Sequence, residues 1–200
     1  MEHIRQKIEE LRARYEVLRE DRTPLDIFTF FEIDLQLDPI PFNNLISKYR
    51  VEAAVTADFT GIYLDAEQYS LMEQGPDWKL NRLRFTVAHE LAHYFLHRDV
   101  PQSAHFASLP DFARWTANYG GQKYTLEQEA NEFAGRLLVP ESRLQALFDE
   151  FAVQAEQLVP NFTQTSSLRD KFADQVAPRF GVNAQVIAIR LDRDDIWAAK

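Results

Sequence analysis

The 200 residues include no cysteine. Disulfides, thiol nucleophiles and metal sites built on thiolates are therefore excluded. No run approaches ~18 uninterrupted apolar residues, so no segment reads as membrane-spanning. The opening MEHIRQKIEELRARYEVLRE carries charge throughout and lacks the apolar stretch of a signal peptide. A soluble, cytoplasmic protein is the expectation. Glycine is scarce, at 6 residues against 9 prolines, which excludes collagen-like or low-complexity material. Basic residues are also in deficit, 22 against 31 acidic, for a net charge of −9. Nucleic-acid binding needs a cationic face, so no direct nucleic-acid ligand is expected.

What remains is a globular composition, 46% hydrophobic and 26% charged. The length suits one compact domain. Ile4, Ile8, Leu11, Tyr15 and Leu18 alternate four and three apart, which predicts an amphipathic helix over 2–20, ended by Pro24. Residues 33–38 alternate apolar and polar, and 51–56 and 61–64 are rich in β-branched and aromatic side chains, with Asp58 and Gly61 as turn material. Three strands in a small, mostly antiparallel sheet follow. From Trp78 onward the pattern is helical, with segments expected at about 79–98, 125–138, 141–157, 167–178 and 184–192. Thr125 and Gln128 have capping-box spacing, and Gly181 suits a helix C-terminus. Residues 100–123 read as loop, with a short helix around 110–118 and a hinge at Gly120-Gly121. The fold class is α+β, a small sheet followed by helices.

Three of the five histidines fall at 89, 93 and 97. His89-Glu90-Leu91-Ala92-His93 is an H-E-x-x-H sequence on an expected helix. Residues four apart lie ~40° apart around a helix and one turn up, so both imidazoles reach one ion. Glu90 sits beside them, placed to meet a water at that ion. The flanking Phe85, Val87, Ala88, Leu91, Ala92, Phe95 and Leu96 are apolar and give the site a dry wall. A catalytic zinc takes a third protein ligand and keeps one position open. The helix at 125–138 offers Glu127, Glu129 and Glu132. Glu127 and Asn131 share a face, so one ligates while the other orients a histidine from behind. Glu129 points about 160° away from Glu127. His97 has three readings: a structural or capping role, transition-state stabilisation, or metal ligation. His105, Tyr94, Tyr119 and Tyr124 are minor candidates as oxyanion donors, and Phe112 and Trp115 as lid or core residues.

Residues 84–99, RFTVAHELAHYFLHRD, and 127–140, EQEANEFAGRLLVP, together resemble the ImmA/IrrE family of zinc metallopeptidases. Arg179-Phe180-Gly181-Val182 and Arg190-Leu191 echo its C-terminal helical segment. The resemblance implies His89, His93 and Glu127 as zinc ligands and Glu90 as catalytic base; from their helix positions, Asn131 and His97 are the supporting or oxyanion-stabilising candidates. It implies a metallopeptidase domain over 1–157, comprising the N-terminal helix, the sheet and the helical zinc-peptidase core. A C-terminal helical subdomain over 158–200 packs on it. The resemblance implies a substrate that is a helix-turn-helix repressor; some members carry an N-terminal DNA-binding domain, which the short charged helix before Pro24 cannot hold, so a standalone form is expected. The alternative is a non-catalytic zinc-containing module that sequesters a repressor or antitoxin-like partner.

Overall fold

The computed structural model describes residues 1–70, 76–98, 110 and 121–197. The chain opens with α1 (Glu2–Arg14), which buries Ile4, Ile8 and Leu11 as its spacing predicts. The helix is shorter than expected. Tyr15 turns out of it to lie edge-on against Phe30 at 5.2 Å. Leu18 still reaches the core, from a short 3-10 turn over Glu16–Leu18.

The strand expected at 33–38 is absent. The Asp26 carboxylate accepts from the Thr29 amide at 3.1 Å and from its hydroxyl at 2.7 Å, starting α2 (Ile27–Thr29). A π-helical turn, Phe30–Asp34, continues it. Ile27, Phe30 and Phe31 are fully buried while Ile33 is 70% exposed. Their helical spacing therefore overrides the alternation that begins at Ile33.

The sheet holds β1 (Asp38–Phe42), β2 (Ala53–Val55) and β3 (Gly61–Asp65) in the order β1-β3-β2. β2 pairs antiparallel to β3, with Ala54 opposite Tyr63, but β1 pairs parallel, with Ile40 opposite Tyr63. The sheet is thus mixed, correcting the mostly antiparallel expectation. The Asp38 N–H donates to the Thr60 carbonyl at 2.9 Å, so positions 39 and 41 turn their nitrogens to the open edge. Proline is tolerated there because no ladder bond is lost. Gly61 permits the close pairing: a Cβ would stand 2.6 Å from the Asp38 carbonyl oxygen. Between β2 and β3, the Thr56 hydroxyl accepts from the Thr60 and Gly61 amides, both at 3.0 Å, and donates to Asp58 at 2.7 Å. α3 (Leu45–Tyr49) and α4 (Ala66–Ser70) flank the sheet.

Two long helices position the site. α5 spans Asp77–Leu96 and α6 spans Gly121–Leu138. α6 begins four residues before Thr125, so the capping-box spacing lies inside a helix, and Gly121 is helical where a hinge was expected. Ala88 and Ala92 on α5 and Ala130 and Ala134 on α6 are buried, among Val87, Leu91, Phe133 and Leu137. Small residues repeated every four positions let two helices approach closely along one ridge. α7 (Glu141–Leu158), α8 (Ser166–Phe180) and α9 (Ala184–Arg193) complete the fold. Gly181 ends α8 at φ +60, in the left-handed conformation its position predicts. The buried Arg84 of α5 donates to the Gly181 carbonyl at 3.0 Å and also to Leu25. Phe148, Phe151, Phe162 and Phe172 surround Trp197, their ring centres 5.3–5.9 Å from it. One buried cluster runs from Ile4 to Trp197. Among the described residues, no helix is long and apolar enough to cross a membrane.

Candidate metal centre

The buried stripe of α5 leaves His89 and His93 on one flank, facing α6. Nε2 of His93 lies 3.3 Å from Nε2 of His89. The Glu127 carboxylate approaches His89 Nε2 at 3.2 Å and His93 Nε2 at 3.9 Å. One ligand atom from each of the three residues lies within 4.8 Å of the other two. Tetrahedral ligands bound at about 2.0–2.1 Å stand roughly 3.3 Å apart, so this donor set fits a zinc-sized ion. His89 and His93 side chains are 16% and 20% exposed and Glu127 is 38% exposed, so the cluster is half-open to solvent on the α6 side.

Asn131, one turn beyond Glu127, places Oδ1 3.2 Å from His89 Nδ1. An amide oxygen only accepts, so His89 carries a hydrogen on Nδ1 and directs Nε2 at the cluster. Burial disfavours charge on His89, but Glu127, Glu90 and Asn131 outweigh it and hold its pKa above the ordinary value. The same field that attracts a proton to Nε2 attracts a metal cation. Burial, with His89 and His97 beside it, pulls the pKa of His93 down to about 3, leaving it neutral as a ligand must be.

Glu90 is 8% exposed and lies under β2, where the Val55 N–H donates to its Oε2 at 2.9 Å. Burial pushes its pKa up to about 7, the range in which a carboxylate both accepts and returns protons. The Val55 amide is a partner that spacing did not reveal, because it depends on how β2 docks on α5.

His97 caps the end of α5 and is 8% exposed. Its Nδ1 lies 2.8 Å from His93 Nδ1, and its Nε2 lies 3.1 Å from Glu129. His97 thus contacts a member of the cluster without joining it. Glu129, set aside by its angle on the helix, is brought into the network from the other side of α6. His3 reaches it there, with Nε2 3.2 Å from Oε1. Glu132 stands elsewhere. It is 4% exposed and held by Arg136 at 2.5 Å, by Arg190 at 3.3 Å and by Arg193. Burial alone would raise its pKa, but these three guanidinium groups hold it below the ordinary carboxylate range. Tyr94 packs edge-on to Phe59 at 6.1 Å with the Arg98 guanidinium over both rings, and Tyr124 is 68% exposed. His105, Phe112, Trp115, Tyr119, Gly120 and the helix expected at 110–118, apart from the helical Pro110, lie outside the described residues.

Residues 77–192, more than half of the chain, match the family profile of peptidase M78, described as the IrrE N-terminal-like domain. The match begins with α5 and ends within α9. Nothing matches among curated proteins, and nothing matches among solved structures.

Proposed function

The chain belongs to the peptidase M78 family, and from that membership we propose that it is a zinc-dependent endopeptidase that cuts a protein partner. The observation that carries the reading is the convergence of His89, His93 and Glu127 beside the buried carboxylate of Glu90. Two imidazoles and one carboxylate, with no thiolate, are a donor set of catalytic zinc. When bound, the ion supplies Lewis acidity, lowering the pKa of a water to about 7 and polarising the scissile carbonyl. His89 and His93 hold it through Nε2, and Glu127 completes the set. Glu90 accepts the proton of the attacking water and delivers it to the leaving amine nitrogen. The Val55 N–H, donating to Oε2 at 2.9 Å, holds the carboxylate in place for that transfer. Asn131 keeps His89 in the tautomer that presents Nε2. The resemblance of 84–99 and 127–140 to the ImmA/IrrE family supports a helix-turn-helix repressor as the substrate.

Glu90→Gln tests this reading. It preserves size while removing the proton acceptor, and Glu90 is not one of the three converging donors. Zinc content should stay at one per chain, and cleavage of a co-purified partner should fall by about 10²–10⁴-fold. Cleavage that persists in the zinc-replete variant defeats the mechanism. Equal biological effect from both proteins, with no cleavage by either, favours the sequestering module.

A further inference from the structure

We propose that Glu129 and His3 are positioning residues that act through His97 to fix which nitrogen of His93 is free to bind the metal. The proposal rests on the reading that His89, His93 and Glu127 hold the ion.

The argument begins at the far end of the chain of contacts. An ionised carboxylate only accepts hydrogen bonds. Glu129 Oε2 lies 3.1 Å from His97 Nε2, so His97 carries its hydrogen there. With its one ring hydrogen on Nε2, His97 presents Nδ1 as an acceptor. His93 Nδ1, 2.8 Å away, must then donate. A neutral His93 that donates from Nδ1 has its lone pair on Nε2. That nitrogen faces His89 and Glu127. The polarity of the whole row is therefore set by Glu129, which is too far around α6 from Glu127 to ligate itself. Without Glu129, His97 is free to carry its hydrogen on Nδ1 and donate to His93. The hydrogen of His93 would then occupy Nε2, where the ion belongs.

His3 places Nε2 3.2 Å from the other oxygen of Glu129. It is held there because Ile4, Ile8 and Leu11 anchor α1 in the core and Arg12 donates to the Arg136 carbonyl of α6 at 3.0 Å. The side chain of His3 is 56% exposed, against 23% for Glu129 and 7% for His97. Its share is accordingly the smallest. His3 precedes the family-matched segment, which starts at residue 77. The N-terminal helix of this chain thus supplies the outer end of a row that begins at the metal.

The test is zinc affinity of the full chain, by competition with a chromophoric chelator, alongside ¹⁵N imidazole shifts of the metal-free protein. Outer partners of metal-bound histidines typically contribute 10–100-fold in affinity, and Glu129→Ala and His97→Ala should each lose about that much. The double variant should lose no more than His97→Ala alone, because both act along one path. Glu129→Gln still offers an acceptor oxygen and should keep most of the affinity; His3→Ala should lose least. In Glu129→Ala the His93 signal should move from the Nδ1–H to the Nε2–H tautomer, a change that loosened packing alone does not produce. If Glu129→Ala fails to fold, the His97→Ala and His3→Ala affinities carry the same test. Wild-type zinc affinity in these variants, with His93→Ala losing zinc, overturns the positioning proposal and leaves the metal centre standing. Full zinc binding in His93→Ala overturns the metal centre itself.

Discussion

Helix α6 carries two groups of charged side chains, and they are built on opposite plans. Around Glu132, acceptors meet donors: Arg136, Arg190 and Arg193 surround one carboxylate, and Asp194 answers Arg136 at 3.2 Å and Arg190 beside it. Around Glu127, acceptors meet acceptors: two imidazole nitrogens and a carboxylate oxygen turn toward one point. The first group pairs its carboxylates with guanidinium groups of its own and ties α9 to α6. The second is a donor set compatible with a cation from outside. On the proposed reading, the difference separates a carboxylate that holds the fold from one that serves chemistry, although the two are five residues apart on one helix.

The largest expected effect comes from removing a member of the open group. Glu127→Ala or His93→Ala should abolish zinc binding and proteolysis, while the unfolding midpoint of the metal-free protein does not fall. Metal analysis with thermal melts checks both, and a melt that drops sharply would place these residues with the structural group. Glu132→Ala should do the reverse. It leaves Arg190, 2% exposed, without one of its two carboxylates. Breaking a buried pair costs about 3–5 kcal/mol, or roughly 6–20 °C in midpoint for a chain of this size. Zinc content should be unchanged.

The spacing of His89 and His93 was legible because a helix converts sequence separation into angle. Glu90 followed from the same motif, and Glu127 from the resemblance together with its face shared with Asn131. The same angular argument turned Glu129 away from the face of Glu127, and the carboxylate lies 3.1 Å from His97 instead. It could not show that α1 and the end of α5 meet on that other side, since such contacts are set by packing between distant segments. The alternation at 33–38 misled for a related reason. Ile27, Phe30 and Phe31, just upstream, have greater burial to gain and draw the chain into a helical turn. The parallel pairing of β1 with β3 depends on how the chain passes through α3, which no local pattern encodes.

Two smaller effects sharpen the contrast. Chelation should remove activity without unfolding the chain, because the buried cluster closes without the ion. At free zinc of 100 times Kd, the bound metal adds about 2.7 kcal/mol, a midpoint shift that should reverse on adding zinc back. Unfolding on chelation would mean that the open group also holds the fold. The smallest effect concerns acid. Burial would raise the pKa of Glu132, but Arg136, Arg193 and Arg190 keep its folded value below the ordinary 4.5. The stabilisation is therefore present above about pH 4.5 and lost as pH falls through the lower folded value. Urea melts should show a shallower loss of stability below pH 4.5 in Glu132→Gln than in wild type. Parallel slopes would remove Glu132 from the acid response.

The ring cluster around Trp197 gives the molecule a built-in optical probe. Trp197 is 8% exposed, and its indole N–H is held by the Thr163 carbonyl at 2.9 Å; Trp78, at the head of α5, is 54% exposed. Their fluorescence should differ in colour and in access to iodide, with Trp78 quenched and Trp197 spared. In a Trp115→Phe background, a blue-edge signal therefore follows the C-terminal helices, and a red-edge signal follows the start of α5. One cuvette can then separate loosening at the far end of the fold from events at the site.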